Sequence, residues 1–135
     1  MRLVKILMAF TATAVFFVLL AQSDADYQGW MKSAVAAKGK VAKGIAAKDK
    51  SGTAADAKVM EDSFEQIEKY WEKKGAADAV GFAKQARTGS ANIAKAAAAG
   101  DFDAANTAMA SVGGACGGCH MAHRGKNPDG AFQIK

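Results

Sequence analysis

Between residues 27 and 123 the apolar side chains recur at steps of three and four, and no stretch alternates polar with apolar. That period belongs to one face of a helix, whereas a half-buried strand needs a period of two. Alanine dominates and β-branched residues are sparse, so propensity points the same way and no strand is expected. The predicted fold class is all-α. Gly or Ser interrupts the pattern at Lys50-Ser51-Gly52, at Lys74-Gly75 and at Gly100, which divides it into four helices.

The first helix is expected over residues 27–48, with Trp30, Ala34, Ala37, Val41 and Ile45 on one face. Thr53 is expected to cap the second, whose face carries Met60, Phe64, Ile67 and Trp71. The third is expected over residues 77–99, with a kink near Gly89. Asp101 or Asp103 starts the fourth, whose face of Phe102, Ala105, Met109, Val112, Cys116, Cys119 and His123 would bury both cysteines. Short connections favour an antiparallel four-helix bundle. At about 25 cal/mol per Å² of buried apolar surface, a core poor in Leu, Val and Ile is thin, so a bound group is expected to complete it.

The N-terminal residues predict export. Arg2 and Lys5 precede a charge-free run at residues 6–21, and Ser23-Asp24-Ala25 follows. This is the pattern of a secretory signal. The run of 16 residues falls short of the roughly 20 that span a bilayer, so no stable membrane insertion is expected after cleavage. The expected division is a signal peptide at residues 1–25 and one domain at residues 26–135, with a cut after Ser23 fitting nearly as well. Removing residues 1–25 leaves 16 Lys and Arg against 12 Asp and Glu, a net charge of +4. These lysines are scattered among alanines, which speaks against a nucleic-acid partner.

The chemistry is concentrated in Cys116-Gly117-Gly118-Cys119-His120, a CxxCH pattern that reads as an attachment site for one covalent haem c. On a helix, residues three apart lie about 60° apart around the axis and residues four apart about 40°. Two sulfurs and an imidazole therefore leave one side: Cys116 and Cys119 for thioether bonds, His120 for the iron. Gly113, Gly114, Gly117 and Gly118 each cost a helix about 1 kcal/mol relative to alanine, and together with Ala115 they are expected to clear room for the porphyrin. Three alternatives compete: a Cys116–Cys119 disulfide, a thioredoxin-like redox pair, and a zinc site on Cys116, Cys119, His120 and His123. A short loop, the lack of a βαβ setting and the cramped geometry of one helix weigh against them in turn.

With this motif near the end of a four-helix chain, the sequence resembles the class II c-type cytochromes, the family of cytochrome c′ and its low-spin relatives. The resemblance covers residues 26–135, and its specific part is Cys116 to Arg124, similar to the family's CxxCHxx[Tyr/Phe]Arg ending. It implies an antiparallel left-handed four-helix bundle, a periplasmic location, frequent homodimers, and haem on the C-terminal helix. Tyr27-Gln28-Gly29-Trp30-Met31-Lys32 is similar to a second family stretch, Arg-Gln-x-x-[Leu/Met/Tyr], whose last residue covers the open haem face. By that match Met31 is the candidate distal axial ligand, although a methionine on an apolar face is more often core filler, and Met60 and Met109 compete for the role.

Tyr27 stands where the family usually has Arg, and His123 where an aromatic residue is common. His123 lies on the same helix as His120 and is expected to pack or to neighbour a haem propionate. Arg124 matches the family Arg and is a candidate propionate or proximal-pocket contact. The resemblance implies a monohaem electron carrier that meets redox partner proteins through a small transient interface. The alternative is a five-coordinate cytochrome c′ that binds nitric oxide or another small gaseous ligand, with Met31 only as a packing residue. No general base, nucleophile or oxyanion hole is apparent in the sequence, so no enzyme activity is expected.

Overall fold

The structure, a computed structural model, describes residues 22–135; the signal-sequence reading of residues 1–21 lies outside the described residues. Four helices are present: α1 (Asp24–Ala46), α2 (Lys50–Lys74), α3 (Ala77–Ala99) and α4 (Phe102–His123). Each packs on the next in sequence, whereas α1 and α4 scarcely touch along their lengths.

The helix starts correct the expectations in two places. Ser23 caps α1 in a reciprocal capping box with Asp26, because its hydroxyl accepts from the Asp26 N–H at 3.1 Å while the Asp26 carboxylate accepts from the Ser23 N–H at 3.0 Å. The helix thus begins ahead of residue 27. Asp49, and not Thr53, caps α2, accepting from the Gly52 N–H at 3.0 Å. Residues 50–52 therefore form the first turn of α2, and the true break is at residues 47–49, where Lys48 takes φ 55. Thr53 is fully buried, and a Cβ on Gly44 would overlap its Oγ1.

Of the two candidates for the start of α4, Asp101 is the cap, accepting from the Ala104 N–H at 2.9 Å. α3 runs as unbroken helix through Gly89. That glycine serves packing, since a Cβ there would come 2.7 Å from Val112 Cγ2 of α4.

The core forms along the expected faces. Ala34, Ala37, Val41 and Ile45 of α1 are buried, as are Met60, Phe64, Ile67 and Trp71 of α2. On α4 the burial is narrower: Ala105, Val112, Ala115 and Cys119 are buried, while Phe102, Met109, Cys116 and His123 are half-buried. Cys116 is therefore at the edge of the apolar face, a correction to the expectation that both cysteines are inside. Tyr27, Tyr70 and Trp71 join α1 to α2, with ring centroids 4.6 to 5.7 Å apart.

The expectation of helix alone fails at the C-terminus. There β1 (Arg124–Lys126) and β2 (Phe132–Ile134) pair antiparallel in a short hairpin, with Arg124 opposite Ile134 and Lys126 opposite Phe132. The cause is local turn chemistry at Asn127-Pro128-Asp129-Gly130: proline cannot continue a helix, Gly130 adopts φ 80, and the Asn127 side chain accepts from the Ala131 N–H at 2.8 Å. Among the described residues no helix is long and apolar enough to cross a membrane.

Candidate functional site

Because α1 packs on α2 and leans away from α4, a cavity of about 550 Å³ opens between them, with the hairpin along a third side. Tyr27, Met31 and Lys32 face it from α1, and Cys119, His120 and His123 from α4. On α1 these positions follow from helical spacing, since residues four apart share a face. Arg124 joins them from the first residue of β1. A second, small cavity of about 20 Å³ lies inside the bundle and is lined by Phe64, Phe82 and Cys116. Met31, Cys119 and His120 line both cavities.

The candidate residues are thereby placed. Met31, Cys119, His120 and Arg124 share the large cavity, and Cys116 faces the small one. Met60 is fully buried elsewhere in the core and Met109 is half-buried, and neither lines either cavity. Both cysteines are free thiols. Burial raises the Cys116 thiol above its ordinary pKa and pushes Cys119 up to about 11, so both stay protonated at neutral pH. Burial, followed by the nearby Arg124 charge, lowers His120, which keeps its imidazole neutral and able to offer a nitrogen lone pair.

His123 has a partner that the sequence does not announce. Its Nε2 lies 2.8 Å from Asp78 Oδ2 at the start of α3, and its ring centroid is 4.8 Å from that of Trp71. The contact holds the Asp78 carboxyl below its usual range. Tyr27 is buried, and burial pushes its hydroxyl up to about 12. Arg124 is spread over a ring: its guanidinium carbon lies 3.3 Å from the Phe132 centroid. Residues 131–134 also face the large cavity. The Asn-Pro-Asp-Gly turn was the available signal for this third wall, masked by the helical pattern that precedes it.

A porphyrin is the group the motif implies; Cys119 and His120 stand where they could hold it at the large cavity, whereas Cys116 faces only the small one and would have to reach the same group from there. Two protonated thiols separated by one helical turn can each add across a vinyl group, with the S–H proton passing to the vinyl carbon so that nothing leaves. The cavity volume falls within the roughly 300–1,000 Å³ of small-molecule and cofactor sites. A Cβ added at Gly113, Gly114 or Gly117 would meet nothing within 4 Å, but Gly114 and Gly117 are exposed and none of the three lines either cavity. The expectation that they clear room for the porphyrin is therefore corrected: the space beside them is solvent. The expectation for Gly118 is corrected, since the Phe82 ring occupies the place a Gly118 Cβ would take; Ala115 is buried. Gly118 thus makes room for Phe82 of α3, while Ala115 lines the small cavity beside Cys116. Among the described residues no three His, Cys, Asp or Glu side chains gather as a metal-binding group.

No protein-family model, curated protein or solved structure matches this chain.

Proposed function

We propose that this chain is a monohaem c-type cytochrome of the class II kind, and that it carries electrons. The observation that carries the reading is the convergence of Met31 from α1 with Cys119 and His120 from α4 on one cavity, with Cys116 one turn away. Haem, once attached, would supply reversible one-electron chemistry at its iron. The residues of this chain would do the rest. Cys116 and Cys119 would tether the group to α4, and neutral His120 would offer an axial nitrogen. Met31 would offer a soft thioether, which favours the ferrous state. The half-buried walls would limit water, and Lys32 and Arg124 stand on the cavity as cations available to anionic edges of the group.

An antiparallel left-handed course of the helices, a periplasmic location after removal of residues preceding the domain, and frequent homodimers belong to the same proposal. The short connections between consecutive helices support the first of these. Basic side chains on the surface suit acidic redox partner proteins. A carrier of this kind needs no catalytic constellation.

The small cavity supports a second reading. At about 20 Å³ it is large enough for one water-sized or diatomic molecule beside Met31, Cys116 and His120. If Met31 only packs there, His120 would be the one residue of this chain to hold the iron, and the protein would bind nitric oxide or a similar gas. Absorption spectra of the purified protein separate the two. Electron transfer with Met31 as ligand predicts a low-spin ferrous spectrum that Met31→Ala converts to high-spin. A native high-spin spectrum, unchanged by that substitution and accompanied by carbon monoxide or nitric oxide binding, supports the gas-binding reading. Absence of a covalent haem mass increment defeats both.

A further inference from the structure

The C-terminal hairpin reaches the core through Ile134, and Arg124 and residues 131–134 lie along the site. The Lys135 N–H donates to the His123 carbonyl at 3.0 Å, which ties the end of β2 to the last turn of α4. The register sets Ile134 opposite Arg124, and Ile134 packs half-buried against the core. A lone two-stranded hairpin is at best marginally stable in water, so these anchors matter.

Phe132 is the informative residue. It is 52% exposed, it lies outside the core cluster, and it lines the large cavity. Arg124 covers its ring at 3.3 Å, and Lys126 Nζ sits 5.3 Å from the ring centroid. A phenyl group left in this position at an apolar cost is pinned by two cations at the wall of a site that also contains Cys119 and His120.

We propose that residues 124–135 form the access wall of this site, in which Phe132 and Ile134 set the size of molecule that can enter and Arg124 positions Phe132. The inference deepens the proposed haem reading and rests on it for the identity of the bound group. Small neutral diatomics would pass this wall, whereas a bulkier nitrogen base such as imidazole would be held back.

The test uses the full chain as wild type, as Phe132→Ala with Ile134→Ala, and as Phe132→Trp, which keeps an aromatic wall. If the purified protein carries haem, imidazole is titrated into the ferric form by absorbance, with carbon monoxide on the ferrous form as a control. The double alanine variant should bind imidazole about tenfold more tightly, with carbon monoxide affinity little changed and Phe132→Trp close to wild type. If the protein lacks haem, the proposed function fails on that result alone, and the wall is read from the free thiols. Iodoacetamide should then alkylate Cys119 about tenfold faster in the double variant. Cys116, which does not face the hairpin cavity, serves as the internal reference and should not accelerate. Unchanged imidazole affinity in the loaded protein, or unchanged or equal acceleration of both thiols in the haem-free protein, overturns the inference.

Discussion

Tyr27 and Tyr70 show how single side chains on α1 and α2 link the site to stability. Burial raises both hydroxyls, Tyr27 from 10.0 to about 12, and the Tyr70 hydroxyl also donates to Asp24 at 2.5 Å. A group that stays neutral longer in the folded than in the unfolded chain stabilises the fold fully below the unfolded pKa, and loses that contribution as pH rises through the folded pKa. For Tyr27 the window is pH 10 to about 12, and at 1.36 kcal/mol per pKa unit its share is at most about 3 kcal/mol. Thermal melts should therefore show Tm falling across that window, and Tyr27→Phe should flatten the fall. A wild-type Tm that stays level from pH 10 to 12 would refute the burial argument. The same scale explains Gly118: its missing Cβ admits Phe82, so a residue that costs helix propensity gives α3 and α4 a close contact.

At the scale of elements, the start of α1 bears on where an exported chain would be cut. Cleavage after Ala25 removes Ser23, which caps α1, together with Asp24, whose carboxylate accepts the Tyr70 hydroxyl bond and lies 3.6 Å from Lys74 Nζ. Tyr70 is only 1% exposed, and a buried hydroxyl left without its partner costs about 1–3 kcal/mol. Cleavage after Ser23 gives up the cap, worth about 1 kcal/mol, and keeps Asp24 in place. Thermal melts of two purified chains, one beginning at Asp24 and one at Asp26, should therefore show the shorter less stable by about 1–3 kcal/mol; equal Tm values would show that the Tyr70 contact does not matter. The elements themselves were largely readable in advance, since periodic faces and capping residues act over one or two turns. The hairpin is the element the helical period does not announce, because the four-residue turn at residues 127–130 overrides it.

For the whole molecule, the arrangement of α1 is decisive: it is fastened to α2 and left apart from α4 over a cavity of about 550 Å³. Much of the core is alanine, and a group bound only in the folded state adds its binding free energy to stability. If haem is attached as proposed, the Cys116→Ala, Cys119→Ala double variant should lose it together with about 3 kcal/mol of stability, roughly 10–20 °C in Tm for a domain of this size. Circular dichroism melts measure this, and a haem-free variant with the wild-type Tm would show that the interior is complete without the group. What the sequence by itself determined was the set of relations spanning a few residues: helical period, most helix boundaries, and two thiols and an imidazole on one turn and a half of α4. Residue spacing left Met31, Met60 and Met109 equivalent, and only the family resemblance favoured Met31. Tertiary structure put Met31, and neither of the others, on the cavity that His120 lines, and it alone decided that Gly118 accommodates Phe82, that His123 meets Asp78, and that the chain's end lines the site. Each of those depends on which surfaces of distant segments approach, and helical spacing gives the direction of a side chain but not the neighbour it will meet.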